Sequence, residues 1–415
     1  MLVGMITRRM AEELDAADPL ARLRDRFVID DPGLVYLDGN SLGRLPAATA
    51  DFLDAVVRDQ WGTGLVRTWH TWIDWASRLG DRLAEHVLGA RPGEVVLSDS
   101  TSVNLYKLAA AVLAGSPERR TIVLDAEDFP TDRYIVQGLA AERGLSVRAL
   151  PSDVDAGLDL DELSAALDDD VALVVLSHAS YRSGALNDMA AVNALARRAG
   201  AVVLWDLSHS AGVFPVQLHA SGADLAVGCT YKYLNGGPGA PAFLYVRKEL
   251  RSTLRQPIWG WFGQRDQFRM GTDYHPVDGI ERFLVGTPPV LSLAAVDPAL
   301  AVVEEAGVAR IRDKGKRLGE FVIDLAPTGM RVASPLDSDR RGGHVTLEHP
   351  DAWRICQALG HVGVICDYRE PNRLRIGPSP LYTRFVDVWD AMDRLRDLLA
   401  SRAYEQWGDA PGRVT

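Results

Sequence analysis

The chain has 415 residues, of which 47% are hydrophobic and 24% charged, and its formal net charge is −11 at pH 7. This composition is ordinary for a globular enzyme, and the length is sufficient for two or three domains. The excess of acidic residues disfavours binding to nucleic acid or to an anionic membrane, and no apolar run approaches the roughly 20 residues that span a bilayer.

The first ninety residues have a mainly helical pattern. Residues 8–27 place charged and apolar side chains at helical spacing until Asp30-Asp-Pro-Gly33 breaks the pattern. Residues 46–89 are predicted to be helical again, with an interruption near Trp61-Gly-Thr-Gly64.

From residue 94 onward, strands alternate with helices, which predicts an α/β fold with a mostly parallel sheet and helices on both faces. The predicted strands are Glu94–Ser98, Thr121–Asp125, Ser146–Leu150, Val171–Ser177, Ala201–Trp205 and Leu225–Cys229. The predicted helices are Val103–Leu113, Thr131–Arg143, Leu160–Leu167 and Met189–Ala199.

The alternation stops between Pro257 and Pro289, a segment dense in glycine, proline and aromatic residues. A long structured loop in a compact enzyme is often functional. A helix over Leu291–Ala306 then leads into a smaller C-terminal α+β domain. We therefore predict an N-terminal segment (1–45) that contributes to the small domain, a large domain (46–290) and the small domain (291–415).

Residues 205–239 are the most informative part of the sequence, because two apolar runs there end on reactive groups. The first run ends on Asp206, three residues before His209, and the second ends just before Tyr231 and Lys232. Open α/β sheets bind ligands at the carboxyl ends of their strands. An acid and a lysine in that crevice suit pyridoxal 5′-phosphate (PLP), whose Schiff base needs the amine and whose pyridinium nitrogen needs the acid. Taken alone, Asp206 would be better explained as a structural aspartate and Lys232 as an exposed lysine; only the combination of residues favours PLP.

A phosphate-binding position is predicted at Ser100-Thr-Ser102, immediately before the helix that begins at Val103. Helix N-termini offer the backbone amides that phosphate groups bind. By itself, the segment is better explained as an ordinary helix cap.

The segment around Lys232 resembles the lysine region of the kynureninase family. Members of this family are fold-type I PLP enzymes of the aminotransferase class V group. The Asp-Gly-Asn-Ser-Leu-Gly and Phe-Pro-Thr-Asp blocks are much more specific than a PLP lysine alone. The resemblance implies the PLP-transferase fold type I, with a large domain around a mostly parallel sheet and a smaller C-terminal α+β domain. The matching blocks are Tyr36-Leu-Asp-Gly-Asn-Ser-Leu-Gly43, Phe129-Pro-Thr-Asp-Arg-Tyr134, Gly279-Ile-Glu-Arg-Phe283, Gly286-Thr-Pro-Pro289 and Arg375-Ile-Gly-Pro-Ser-Pro-Leu-Tyr382.

The resemblance also implies roles for the residues near the cofactor. Lys232 binds PLP and moves the α-proton of the substrate, and Asp206 pairs with the pyridinium. His209 lies against the ring, or only orients Asp206. Tyr231 is the acid-base residue of the cleavage stage, and its hydroxyl also suits a bond to the phosphate. The remaining implied contacts are Thr101, Ser102 and Ser177 near the phosphate, Phe129 over the ring, Asp132 at its polar edge, and Trp259 and Thr287 from the partner subunit of a homodimer.

Recognition of the substrate requires a cation for its carboxylate, and the planar fork of arginine matches a carboxylate with two parallel hydrogen bonds. Arg375 matches the family's carboxylate-binding arginine, with Arg373 as the alternative. Trp69 is the candidate for stacking on the aryl ring. His70 and Gly286 complete the predicted substrate contacts, although most tryptophans near Trp69 are expected in the core or at an interface.

The implied activity is PLP-dependent hydrolysis of L-kynurenine to anthranilate and L-alanine in tryptophan degradation. Family members that prefer 3-hydroxykynurenine carry Ser-Asn where this chain has Gly286 and Thr287, so we expect a preference for unsubstituted kynurenine, with His70 as a possible hydrogen-bond donor to the extra hydroxyl. Alternatives are action on a substituted kynurenine in biosynthesis, another class V reaction (transamination or cysteine desulfuration), or a catalytically silent homologue.

Cysteine usage and the start of the chain bear on localisation. The three cysteines form neither a disulfide framework nor a metal-spaced pair, and no metal is expected. The first residues lack the long apolar core of a signal peptide. We therefore expect a cytoplasmic enzyme.

Overall fold

The computed structural model describes residues 6–408. The α-helices in this part of the chain are α1 (Arg8–Ala16), α2 (Ala47–Ala55), α3 (Trp69–Trp72), α4 (Trp75–Leu83), α5 (Thr101–Gly115), α6 (Pro130–Arg143), α7 (Leu160–Ala166), α8 (Met189–Arg198), α9 (Val290–Ala306), α10 (Val308–Asp324), α11 (Ala352–His361) and α12 (Phe385–Ser401). The strands are β1 (Val35–Tyr36), β2 (Val95–Leu97), β3 (Thr121–Asp125), β4 (Ser146–Leu150), β5 (Val171–Ser177), β6 (Val202–Asp206), β7 (Leu225–Gly228), β8 (Phe243–Val246), β9 (Arg331–Val332), β10 (Val345–Glu348), β11 (Val364–Ile365), β12 (Asp367–Arg369) and β13 (Arg373–Ile376).

A seven-stranded sheet forms the centre of the molecule, in the order β2-β8-β7-β6-β5-β3-β4. The five strands from β7 to β4 are mutually parallel, whereas β8 runs antiparallel to both β7 and β2. The prediction of an α/β fold with a mostly parallel sheet is therefore confirmed. The sequence analysis missed β8, a four-residue strand that follows the glycine-rich turn after Lys232.

The register of the parallel strands determines where the polar side chains lie. Ser177 at the end of β5 is directly opposite Asp206 at the end of β6, and Asp206 is opposite Val227 of β7. Since parallel strands point the same way, the residues that follow them converge on one edge of the sheet. The loop that carries Lys232 therefore begins beside the loop that carries His209.

The C-terminal part of the chain forms a four-stranded antiparallel sheet in the order β12-β13-β10-β9. The N-terminal segment joins this part, because β1 pairs with β11 in parallel and α1 packs against α12. This region has its own buried cluster, which includes Leu37, Leu318, Leu347 and Leu395. The larger cluster surrounds the seven-stranded sheet and includes residues of α9. The boundaries at residues 45 and 290 stay predictions.

The segment between residues 257 and 289 contains only short turns of 3₁₀-helix, Trp261–Gly263, Gln267–Arg269 and Ile280–Phe283. It exposes several large apolar side chains, among them Trp259, Phe268 and Met270. Across residues 6–408, no helix combines the length and the apolar character needed to cross a membrane.

Candidate active site

A cavity of about 450 Å³ lies at the carboxyl edge of the seven-stranded sheet, between the strand ends and the first turn of α5. This volume falls within the range of small-molecule sites. Nine of the predicted site residues line it: Thr101, Ser102, Phe129, Asp132, Ser177, Asp206, His209, Tyr231 and Lys232.

The amine of Lys232 is held inside this cavity by a histidine. Its Nζ atom lies 3.0 Å from Nε2 of His209, and 5.9 Å and 5.8 Å from the ring centres of Phe129 and Tyr231. Burial, reinforced by the charge of Lys232, lowers the pKa of His209 well below its usual value, so the imidazole is neutral. A neutral Nε2 can accept a hydrogen bond from the lysine.

The opposite wall of the cavity is acidic. Asp206 accepts a hydrogen bond through Oδ1 from the backbone N–H of Ser208 at 2.8 Å. Burial, followed by the charges of Asp206 and Asp128, raises the pKa of Asp132 well above its usual value. The Oδ2 atom of Asp132 has no hydrogen-bond partner among the described residues. Behind it, Asp128 accepts a bond from the backbone N–H of Ser177 at 3.1 Å, and burial raises the pKa of Asp128 to about 8.

The start of α5 provides the donors for an anion. Ser100 is the N-cap, and its hydroxyl accepts a bond from the backbone N–H of Val103 at 3.3 Å. The N–H groups of the first helical turn have no partner within the helix, and the positive end of the helix dipole lies there. Thr101 and Ser102 add two hydroxyl groups at the cavity wall.

The segment Asp38–Gly43 packs against the loop that carries Tyr231 and Lys232. The backbone N–H of Gly43 donates to the carbonyl oxygen of Tyr231 at 2.9 Å. A Cβ atom on Gly43 would lie 2.4 Å from the carbonyl oxygen of Lys232, so only glycine fits. Sequence reasoning identified this block as a signature but gave it no role.

The same segment also meets the block that carries Arg375. Gly39 donates its backbone N–H to the carbonyl oxygen of Gly377 at 3.0 Å, and Gly377 donates to that of Leu37 at 2.7 Å. Two blocks that are far apart in the sequence are therefore bonded to one another beside the lysine loop.

Arg375 is almost completely buried, and its fork is engaged by a carboxylate. Nε donates to Oδ1 of Asp367 at 2.6 Å, and Nη2 donates to Oδ2 of the same residue. Nη1 donates to the carbonyl oxygen of Tyr181 at 2.6 Å, and Nη2 also reaches the hydroxyl of Ser41 at 3.3 Å. The two parallel bonds that were expected for the substrate are thus made to Asp367, a residue that sequence reasoning missed.

Arg373, the alternative, is directed elsewhere. It lies on β13 two residues before Arg375, but Nη1 of Arg373 forms an ion pair with Asp155 at 2.6 Å. Neither arginine is among the side chains that line the cavity.

The other five predicted residues do not line this cavity either: Trp69, His70, Trp259, Gly286 and Thr287. Trp259 is 63% exposed and stacks on Tyr274 with ring centres 5.1 Å apart. His70 is exposed, with Nδ1 at 2.5 Å from the carbonyl oxygen of Arg67. Trp69 is half-buried against Trp72.

Comparison with known proteins identifies the family. The model of the aminotransferase class-V family matches residues 78–351, and that of the kynureninase C-terminal domain matches residues 311–395. The kynureninase of Pseudomonas fluorescens is 45% identical, with 97% of this chain and 98% of that protein covered, and a kynureninase of Burkholderia pseudomallei (strain 1106a) is 45% identical over 96% and 97%. The chain belongs to the kynureninase family.

Solved structures with the same fold are less similar to this chain in sequence than the curated kynureninases are. The cystine C-S lyase C-DES in complex with its reaction product, cysteine persulfide, is 20% identical with a TM-score of 0.79 and covers 88% of this chain and 98% of its own. The apo cysteine desulfurase of Thermococcus onnurineus NA1 is 20% identical with a TM-score of 0.78, over 94% and 98%. At these identities, the likeness shows the fold alone.

The residues of the cavity fit PLP, the cofactor of the class V group. The amine of Lys232 is available for the aldehyde, Asp206 for the ring nitrogen and the α5 turn for the phosphate. The unpartnered Oδ2 atom of Asp132 lies in the lining of the same cavity, where the polar edge of the ring would meet it.

The cysteines do not suit the desulfurase alternative. Cys366 is buried, and a contact with the Cys356 thiol and burial raise the pKa of Cys366 well above its usual value. Burial likewise raises the pKa of Cys229, which lies in the strand-end wall of the cavity. A nucleophilic thiolate needs the opposite environment.

Proposed function

We propose that this chain is a PLP-dependent hydrolase that cleaves L-kynurenine to anthranilate and L-alanine. The observation that carries the proposal is the half-buried amine of Lys232, 3.0 Å from a neutral His209 and in one cavity with Asp206. The 45% identity to curated kynureninases over nearly the whole chain supports the choice of substrate.

The lysine, the histidine and the aspartate have separate tasks in this proposal. PLP, when bound, supplies an electron sink conjugated to the α-carbon of the substrate. Asp206 stabilises the proton on the ring nitrogen and so maintains that sink. Lys232, once the substrate amine has replaced it, moves the α-proton, and His209 accepts a hydrogen bond from Nζ and keeps the amine directed into the cavity.

Tyr231 is proposed to act when the Cβ–Cγ bond is cleaved. Burial raises the pKa of its phenol above the usual value, so the hydroxyl is protonated at neutral pH and can donate. The γ-carbonyl takes up water, and the carbon that leaves as L-alanine needs a proton. A neutral phenol at the cavity wall is a suitable source.

Arg375 is proposed to bind the carboxylate of the substrate, with Asp367 fixing its orientation. An arginine has five N–H donors. In its contacts with described residues, Arg375 gives two to Asp367 and one each to Ser41 and Tyr181. One N–H of Nη1 remains for the substrate, so we expect a single charged hydrogen bond unless the fork is released.

The five predicted residues outside the cavity support a homodimer with shared sites. They lie in two exposed segments, 61–72 and 258–291, which also expose Trp61 (55%), Val66 (74%) and Leu291 (42%). Trp61 and Leu291 line one surface pocket, and exposed apolar surface often marks interaction sites. We propose that Trp259, Gly286 and Thr287 enter the partner's active site, and that the dimer acts in tryptophan degradation in the cytoplasm.

Two measurements test the proposal. Borohydride reduction of the PLP-loaded protein, followed by peptide mapping, should place the pyridoxyl group on Lys232. Incubation with L-kynurenine should release fluorescent anthranilate, and Lys232→Ala should release none. A label on another lysine would overturn the assignment of Lys232, and a labelled protein that does not cleave kynurenine would overturn the substrate.

A further inference from the structure

A buried cation next to the cavity has no part in the reaction described above. Lys107 lies on α5 between Thr101 and Gly115, and its side chain is 0% exposed. Its Nζ atom donates to Oδ2 of Asp99 at 2.8 Å, to the carbonyl oxygen of Phe283 at 2.8 Å and to the hydroxyl of Ser98 at 3.3 Å. All three N–H groups of the ammonium are therefore used, and the charge is directed at Asp99.

Asp99 occupies an unfavourable position for an anion-binding site. It lines the cavity and directly precedes the cap of α5, where φ of Asp99 is +49°. This left-handed conformation fixes the carboxylate beside the turn that we propose binds the phosphate. A phosphate dianion at Thr101 and Ser102 would meet a like charge there.

The other ionisable residues of the cavity do not offset this repulsion between Asp99 and the phosphate. Among the described residues that line the cavity, the carboxyl groups are Asp99, Asp132 and Asp206, whereas Lys232 is the cation and no arginine is present. Lys232 is assigned to the aldehyde of PLP and not to its phosphate. Binding of the phosphate therefore depends on the dipole of α5, on the hydroxyls of Thr101 and Ser102, and on charged groups just outside the cavity lining, such as Lys107.

We propose that Lys107 is a positioning residue that neutralises Asp99 and thereby sets the affinity of this chain for the phosphate group of PLP. The inference rests on the proposed function, since it assumes the cofactor and its phosphate position. Burial lowers the pKa of Lys107, and the ion pair with Asp99, 2.8 Å away, opposes that change. The bond to Phe283 also ties the phosphate turn to the segment that leads to Gly286 and Thr287.

The test compares two variants of the full-length apoprotein in titrations with PLP, followed by absorbance. Lys107→Met removes the compensating charge and should weaken PLP binding by on the order of ten-fold or more. Asp99→Asn removes the repelling charge yet keeps an oxygen that can accept the Lys107 bond, and it should tighten PLP binding by a few-fold to ~ten-fold. Binding of pyridoxal, which lacks the phosphate, should not respond to either change.

A control separates this role from general stabilisation. Lys314 forms a similarly buried ion pair, 2.7 Å from Asp18, and is not a cavity residue. Lys314→Met should lower the thermal stability of the apoprotein and leave PLP affinity unchanged.

The outcomes differ clearly. If Asp99→Asn leaves PLP affinity unchanged or weakens it, Lys107 only anchors the turn and the proposal is wrong. It is also wrong if Lys107→Met weakens PLP no more than Lys314→Met, or if pyridoxal binding changes in parallel with PLP binding. Should Lys107→Met fail to fold, the Asp99→Asn titration still decides. A wild-type protein that does not bind PLP would overturn the proposed function instead.

Discussion

Replacing Asp367 by alanine should destabilise this protein far more than an ordinary surface substitution. Asp367 begins β12 and lies opposite Arg375 of β13. Both side chains are 1% exposed. Besides the two bonds from Arg375, the carboxylate accepts one from the hydroxyl of Ser41 at 2.6 Å and lies 2.9 Å from Nη2 of Arg369.

The size of the effect follows from these contacts. Two hydrogen bonds between charged groups are worth about 1.5–3 kcal/mol each. Removal of one partner from a buried ion pair costs about 3–5 kcal/mol, because the other charge stays buried. The two figures overlap, so we expect Asp367→Ala to lower the free energy of unfolding by about 3–5 kcal/mol.

Urea unfolding at fixed protein and PLP concentrations measures this loss. Asp168→Ala is the matched control, since Asp168 pairs with Arg148 at 3.1 Å but both side chains are exposed by more than a third. The control should change the unfolding free energy by about 1 kcal/mol or less. A loss below ~1 kcal/mol for Asp367→Ala as well would refute the argument that the buried pair holds this region together.

The pair also has a pH signature. The charge of Arg375 and its hydrogen bonds outweigh burial and lower the pKa of Asp367 to about 2. A carboxyl group whose folded pKa lies below its unfolded value of about 3.9 stabilises the protein above that value, and the stabilisation is lost as the pH falls towards the folded pKa. The free energy of unfolding of the wild type should therefore exceed that of Asp367→Asn by a constant amount above about pH 5. This difference in unfolding free energy should shrink only in more acidic buffer.

Four further results are expected. Tyr231→Phe should keep PLP bound, as seen in the absorption spectrum, while kcat falls by about 10²–10⁴; an unchanged kcat would remove Tyr231 from the cleavage step. Arg375→Ala should raise KM for kynurenine, whereas Arg373→Ala should not, and the reverse result would exchange their roles. The wild type should have a higher kcat/KM for kynurenine than for 3-hydroxykynurenine. The ratio should be at most about 10², because a pocket without a hydrogen-bond partner for the added hydroxyl rejects it only modestly. The opposite preference would indicate that His70 binds this hydroxyl. Burial raises the pKa of Asp38 to about 7, so apoprotein stability should decline as the pH rises from about 4 to 7. Asp38→Asn should make that decline less steep and leave the part due to Asp128 and Asp132, whose pKa values burial also raises; an unchanged slope would remove Asp38 as a contributor.

The large sheet and the core of the site could be predicted because both follow from local pattern. Short apolar runs separated by helices specify parallel strands, and parallel strands bring their carboxyl ends together. Asp206 is the last residue of β6, and His209 and Lys232 follow the ends of β6 and β7 by three and four residues. Their meeting in one cavity therefore required no knowledge of long-range packing.

Contacts between distant segments could not be predicted in this way. Asp367 looks like any strand aspartate until β12 and β13 pair and place it against Arg375. Lys107 looks like a solvent-exposed helix lysine, yet the loop containing Phe283 covers it completely. The short strand β8 was not predicted, and its antiparallel direction depends on the strands on either side.

The pairing of β1 with β11 also bears on how the chain folds as it is synthesised. Val35 and Tyr36 leave the ribosome early, but their partners Val364 and Ile365 follow roughly 330 residues later. At about 5–20 residues per second, that interval is on the order of 20–60 s. During this time the Asp38–Gly43 segment has no Gly377 to bond with, and Leu37 has no apolar cluster to enter. The large sheet, whose strands all precede residue 247, can form during this interval, whereas the support beneath Lys232 is completed only after Gly377 has been synthesised.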